Sequence, residues 1–318
     1  MTTPDKRPLK EAFTSTFHDR YRFNDLLSAS TTGECSFIEL KNKKIASPSK
    51  KLKDFHKFVN KTILEFLEIN EEVVFSYRKG KNILSAIEKH SQSTNFFQTD
   101  ISNFFESISL SDVKTTIEDN TPNLPISDIE NYINHIADLI TIDEKLPVGF
   151  STSPVISNAV LFNFDNELNQ YCKTSNIHYS RYSDDIILSS NTKITLMEAS
   201  EKIQNLLSKY FSGRININKS KTKFNHKGNR VKILGILILP NGRITIDNSI
   251  KEDVEIKLHF FLNNRKALES YSGPDFEHTI SKLSGTLNFI STIDSHYLDK
   301  LRKKYGNTTI DMFLHKSV

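Results

Sequence analysis

Five residues, Arg181-Tyr182-Ser183-Asp184-Asp185, constrain this chain more than any other stretch. Ile177-His178-Tyr179-Ser180 precedes them and Ile186-Ile187-Leu188 follows. Both flanks are rich in β-branched and aromatic residues, which suit a pleated strand. Ser-Asp-Asp between such runs predicts the tip of a β-hairpin, because short polar side chains bond well to turn backbone. Two adjacent carboxylates repel each other, and a divalent cation would relieve that repulsion. Aspartate pairs are ordinary in turns, so a second acidic stretch is needed before this one signals chemistry. Phe97-Gln98-Thr99-Asp100-Ile101-Ser102-Asn103-Phe104-Phe105 supplies it, with an apolar approach, an aspartate and then two aromatics. A strand ending at Asp100 beside the hairpin would gather Asp100, Asp184 and Asp185. Two-metal phosphoryl transfer uses such hard oxygen ligands to hold Mg²⁺ ions roughly 4 Å apart.

The chain has 318 residues, enough for one large domain or a few subdomains sharing a core. Hydrophobic residues make up 37%, which suffices to fold but is too little for a membrane protein. The apolar run at 233–239 falls far short of the roughly 20 residues a spanning helix needs. Residues 1–10 are polar and charged, unlike a secretory signal, so a cytoplasmic location is expected. Cys35 and Cys172 fit free thiols in a reducing compartment, and no Cys/His spacing suggests zinc. The net charge of +4 hints weakly at an anionic partner. Its distribution says more: Lys41, Lys43, Lys44, Lys50, Lys51, Lys53 and Lys57 form a candidate phosphate-contacting face.

Along the chain, residues 1–34 predict a short helical pack and 35–46 a hairpin. Apolar residues at three- and four-residue steps from Phe55 to Leu67 predict an amphipathic helix starting near Lys53. Residues 73–75 predict a short strand. In Tyr77-Arg78-Lys79-Gly80-Lys81, cations, an aromatic and a glycine could hold a nucleic-acid phosphate. Helices are expected at 83–90, from an N-cap at Ser111 to about 118, and at 126–140 behind a cap at Ser127 or Asp128. Pro147-Val148-Gly149-Phe150-Ser151-Thr152-Ser153-Pro154 opens a single helix over 155–171, and its small residues would let a nucleotide approach closely. A helix at 196–211, a strand at 231–239 paired with 244–246 through Pro240-Asn241-Gly242, and helices at 251–262, 276–290 and 297–305 complete the expectation.

Together these segments resemble the reverse transcriptases of bacterial retrons and of related anti-phage systems, over roughly residues 37 to 305. The resemblance implies an α+β fold of the right-hand polymerase class, with fingers, a palm bearing an antiparallel sheet, and a helical thumb. It places an N-terminal helical extension at 1–34, part of the fingers at 35–98, the palm with inserted fingers helices at 99–240, and the thumb at 241–318. It makes Asp100, Asp184 and Asp185 the ligands of two Mg²⁺ ions, with the Ile101 carbonyl assisting. Phe105 falls where the family puts an aromatic under the sugar, which implies deoxynucleotide substrates. Lys221 matches a lysine that protonates departing pyrophosphate. Lys41 and Lys43 match residues that hold the triphosphate. The stretch from Gly149 to Asn158, with Thr152 and Ser153, matches an element lining nucleotide and template. Leu234-Gly235 matches the hairpin that grips the primer.

The sequence departs from the pattern at several points. Val148 stands where the family has a glutamine touching the sugar, Ser151 where it has proline, and Asn103 where aspartate is frequent. The upstream retron signature appears only as Ser85-Ala86-Ile87-Glu88-Lys89-His90. The expected activity is RNA-directed DNA synthesis on a structured non-coding RNA, with an RNA template, a DNA product, deoxynucleoside triphosphates and a separate effector protein as partners. Two alternatives stay open. One is an untemplated or protein-primed DNA-tailing polymerase of an abortive-infection system. The other is a catalytically silent, RNA-binding polymerase-like module.

Overall fold

The computed structural model describes residues 6–40, 43–228, 230–273 and 275–315. In chain order its elements are α1 (Leu9–Phe17), α2 (Phe23–Leu27), β1 (Cys35–Leu40), β2 (Lys43–Pro48), α3 (Lys50–Thr62), α4 (Ile83–Glu88), β3 (Asn95–Asp100), α5 (Phe104–Ser107), α6 (Leu110–Asp119), α7 (Ile133–Leu139), α8 (Ser153–Val160) and α9 (Phe162–Thr174). There follow β4 (His178–Tyr182), β5 (Asp185–Ser190), α10 (Lys193–Phe211), β6 (Lys223–His226), β7 (Val231–Ile233), β8 (Ile236–Ile238), β9 (Ile244–Ile246), α11 (Asn248–Asn263), α12 (Arg265–Ser272), α13 (Phe276–Ile293), α14 (Ser295–Tyr305) and α15 (Asn307–Leu314). Strands β1 and β2 form a ribbon, four strands form a sheet in the order β4-β5-β3-β6, and β7-β8-β9 form a meander. This is the expected α+β class.

The chain divides into two compact units, residues 1–82 with 97–223, and residues 83–96 with 224–318. In the first, α3 buries Leu52, Phe55, Phe58 and Val59 on one stripe. Phe13 of α1 meets Phe58 edge-on at 5.4 Å between ring centres. That geometry suits the opposed charge of ring face and edge. In the second, α13 packs on α11, α14, α15 and β9. Leu283, Leu287 and Ile290 are buried in this packing.

Several boundaries differ from the sequence reading, each for a local reason. Helix α3 begins at Lys50, because Ser49 Oγ accepts the Leu52 N–H at 3.1 Å. The cap of α6 is Ser109 rather than Ser111: Ser109 and Asp112 bond each other's backbone N–H groups reciprocally. The helix expected over 126–140 shrinks to a 3₁₀ turn at Ile129–Asn131 and then α7. Its start is occupied otherwise, because Ser127 N–H bonds the Arg7 carbonyl at 3.0 Å. Asp128 Oδ1 accepts the Leu9 N–H at 2.7 Å, so it serves α1 instead.

The helix expected over 155–171 is two helices, broken at Leu161. Residues 73–75 make only a one-residue parallel bridge, Val74 to Arg181. The strand expected over 231–239 is itself a hairpin, turning at Leu234 (φ +50°) and Gly235 (φ +82°). Helices α12 and α15 were not expected.

Candidate active site

The site is assembled by backbone pairing at the end of β3. Tyr182 pairs with Asp185 across the β4–β5 hairpin, leaving Ser183-Asp184 as its two-residue turn. β5 lies beside β3. The Ile101 N–H donates to the Asp184 carbonyl at 3.0 Å, which sets the turn next to Asp100. On the other side, the Asn218 N–H donates to the Asp100 carbonyl at 2.7 Å. That segment brings in Lys221, whose Nζ donates to Asp100 Oδ2 at 2.8 Å. Residues 100, 184, 185 and 221, scattered in sequence, therefore meet at one end of β3.

The electrostatics follow from this crowding. Burial first, and then the charges of Asp184 and Asp100, push the Asp185 carboxyl up to about 6, against a smaller pull from Lys221. The Lys221 ammonium is held above its ordinary range chiefly by its bond to Asp100. Asp100 is 6% exposed. Its Oδ1 is buried without a hydrogen-bond partner. A buried, unmatched carboxylate oxygen costs free energy that a cation would recover. Among the described residues, no three His, Cys, Asp or Glu side chains already close around a metal-sized point. The donor set nevertheless fits a hard divalent ion: all-oxygen, excess negative, with one orphaned oxygen.

In front of the carboxylates lies a cavity of about 910 Å³, lined by Phe37, Lys44, Phe105, Val148, Asp184 and Lys221 among others. Lys44 was not singled out from the lysine run; it faces this cavity and sits 3.9 Å from the centre of the Phe37 ring. Phe105 lies against Phe104, with ring centres 5.3 Å apart. Ile101 is buried and lines the cavity. The Val148 carbonyl accepts the Ala46 N–H at 2.8 Å, tying this loop to β2. Gly149 (φ +112°) completes that junction: a Cβ there would lie 2.1 Å from the Ala46 carbonyl oxygen. Thr152 and Ser153 are fully buried, and Ser153 Oγ donates to the Pro147 carbonyl at 2.7 Å.

Tyr77 (φ +56°) is half exposed, and its hydroxyl lies 3.2 Å from Ser183 Oγ in the β4–β5 turn. Arg78 pairs with Glu71 at 2.7 Å. Lys79 is exposed, and Lys81 Nζ lies 5.1 Å above the Phe75 ring. Leu234 and Gly235 form the β7–β8 turn in the second unit. Lys41 lies outside the described residues; Lys43 opens β2. Sequence reading named Arg181 and Asn158 only as members of their motifs and missed Ser76 and Asp165; all four are buried groups around the turn.

A sequence profile described as reverse transcriptase (RNA-dependent DNA polymerase) matches residues 41–238, well over half the chain. The retron Ec83 reverse transcriptase of Escherichia coli is 28% identical over 278 residues, covering 84% of this chain and 83% of that protein. The retron Ec73 enzyme of E. coli is 28% identical over 274 residues, covering 82% of each. The retron Ec86 enzyme of E. coli is 23% identical over 280 residues, 86% of this chain and 81% of that one. Among solved structures, telomerase from Candida albicans, in complex with a fragment of telomeric RNA, aligns with a TM-score of 0.49 and 11% identity. That alignment covers 86% of this chain and 56% of the telomerase chain. The fold is of the right-hand polymerase class. The chain belongs to the reverse transcriptases, the RNA-dependent DNA polymerases, and the relatives it matches along most of its length are those of retrons.

Proposed function

We propose that this enzyme copies a structured non-coding RNA into DNA within a retron-like or other anti-phage defence system. Asp100, Asp184 and Asp185 would hold two Mg²⁺ ions. The single observation that carries the site assignment is the Ile101-to-Asp184 backbone bond at 3.0 Å, which sets the hairpin turn beside Asp100. Ions held there would supply activation of a primer 3′-hydroxyl and offset charge on the triphosphate. The chain's own groups supply position and protons.

Lys221, kept protonated beside Asp100, is the group that donates to departing pyrophosphate. Lys44, with Lys41 and Lys43, forms the fingers cations for the triphosphate. Phe105 supports the deoxyribose. Gly149 allows the loop to seat on β2, so that Val148 reaches the sugar. Thr152 and Ser153, expected to line the template, are instead buried, and Ser153 ties the loop to the Pro147 carbonyl. Tyr77, Arg78, Lys79 and Lys81 contact template or primer backbone, and Leu234-Gly235 contact the primer end. Fingers, palm and thumb follow the boundaries 35–98, 99–240 and 241–318, behind the helical extension 1–34. A separate effector protein completes the system.

One observation favours a second reading. Val148, an apolar residue, lines the cavity, at the position where the resemblance expects a sugar-contacting glutamine. A site that recognises nucleotides less by hydrogen bonds suits an untemplated or protein-primed tailing polymerase. The test is to supply a primed RNA, four deoxynucleoside triphosphates and Mg²⁺, and to sequence the product. A complementary copy supports the first reading; a homopolymer without matching template supports the second; no polymer at all overturns both.

A further inference from the structure

Ser183, immediately before Asp184, holds a left-handed backbone conformation at φ +61° without being glycine. That region is costly for an L-residue, so something must hold it. Its N–H donates to Ser76 Oγ at 2.7 Å. Its carbonyl accepts from Arg181 Nη1 at 3.0 Å.

Arg181 is wholly buried, as is its partner Asp165. Nε donates to Asp165 Oδ1 at 2.9 Å and Nη2 to Asp165 Oδ2 at 2.6 Å. Nη1 also donates to Asn158 Oδ1 at 3.1 Å, and Nη2 to the Asn158 carbonyl at 3.4 Å. All five guanidinium N–H groups are thus spent. Asp165 Oδ1 further accepts from the Tyr179 hydroxyl at 2.6 Å. Asn158 Nδ2 reaches the Ser76 carbonyl at 3.0 Å, closing the network on the residue that holds the Ser183 N–H. The Arg181 backbone is fixed as well, between Val73 and Phe75.

Stability alone is a poor explanation, because apolar residues of similar volume usually replace a buried ion pair at no cost. The geometry does something else. A rigid fork anchored on Asp165 grips the peptide that aims Asp184, and the Asp165 charge cancels the guanidinium charge next to the carboxylate cluster. We propose that Arg181 and Asp165 are positioning residues: they fix the Ser183 peptide, and so the aim of the Asp184 carboxylate, without neutralising it. This rests on the assignment of Asp184 as a metal-holding residue.

The test is a double variant, Arg181→Met with Asp165→Leu, which removes both charges of the buried pair. Thermal unfolding, amide hydrogen exchange at residue 183, the Mg²⁺-induced rise in Tm without nucleic acid, and steady-state DNA synthesis are measured. The expected result is a Tm within a few degrees of the parent, faster exchange at residue 183 and a smaller Mg²⁺-induced rise. kcat falls at least about tenfold while KM for nucleotide moves less than about threefold, since a misaimed group costs turnover rather than binding. Arg181→Lys keeps the charge but loses the fork, and should not restore kcat. A double variant with parental exchange, Mg²⁺ response and kcat overturns the inference, as does an Arg181→Lys variant with full activity. If the double variant does not fold, Ser76→Ala decides: about threefold lower kcat supports the inference, and parental kcat and exchange overturn it. Asp184→Ala, run in parallel, separates the two ideas. If it keeps full activity, the site assignment itself fails; if it is dead while the double variant is normal, only the positioning inference falls.

Discussion

Two hairpin turns, one in each unit, place a non-glycine residue in the left-handed region, and they are held in opposite ways. At Leu234-Gly235 both central residues have positive φ, the pattern of a type I′ turn, and glycine supplies half of it. Nothing lies within 4 Å of where a Gly235 Cβ would sit. At Ser183-Asp184 no glycine helps, and the turn is held by Ser76 and Tyr77 from elsewhere in the chain and by Arg181 of its own strand, itself anchored on Asp165. A turn that relies on local preference can tolerate wobble at its tip. A turn held by distant groups has its orientation dictated by the fold, which is what a carboxylate presented to a cavity needs.

The contrast can be broken most sharply at Asp184. Asp184→Ala should reduce DNA synthesis about a thousandfold while leaving the fold intact, an effect comparable with losing a principal electrostatic stabiliser. Steady-state incorporation against circular dichroism would show it. Activity within tenfold of the parent would mean that the first turn is no more functional than the second.

Next in size is Lys221→Ala, which removes the cation bonded to Asp100. A drop of about a hundredfold is expected, with loss of the alkaline limb of the pH–rate profile, as for a missing general acid.

A smaller effect separates the turns by pH. Asp185 is pushed up to about 6. Such a carboxyl ionises more readily when unfolded, so it opposes folding once the pH passes about 4 and does so fully above about 6. Asp185→Asn should therefore stabilise the metal-free protein at pH 7.5 by about 1–2 kcal/mol, allowing for solvent screening, with the gain vanishing below about pH 4. Thermal unfolding at both pH values checks the sign. The smallest effect belongs to the other turn: Gly235→Ala should cost about 1 kcal/mol at either pH, since the strain is steric and no ionisable group is involved. A pH-dependent loss there would erase the distinction.

What the sequence revealed and concealed divides along the same line. The Ser-Asp-Asp hairpin was legible because its β-branched flanks and turn residues are contiguous, and Asp100 because its strand runs directly into it. The α3 stripe was legible for the same reason. Ser111 was a reasonable cap, yet Ser109 won because Asp112 stands three residues after it and can reciprocate. The break at Leu161 had no proline or glycine to mark it. That break separates Asn158 and Asp165 onto two helices, and both nevertheless bond Arg181. Spacing cannot say which arginine is buried or which aspartate meets it. Nor could the lysine run show that Lys44 would face the cavity, because strand side chains alternate and the register is set by the partner strand.

The bond from the Leu9 N–H to Asp128, spanning 119 positions, has a consequence for how this protein is made. As the chain leaves the ribosome, the opening helix emerges long before the residue that caps it. Leu9, Ala12 and Phe13 must therefore wait, uncovered, for later segments to arrive. Newly synthesised chains halted before that point would be sticky substrates for chaperones, and removing Leu9 would injure the centre of the molecule rather than its margin.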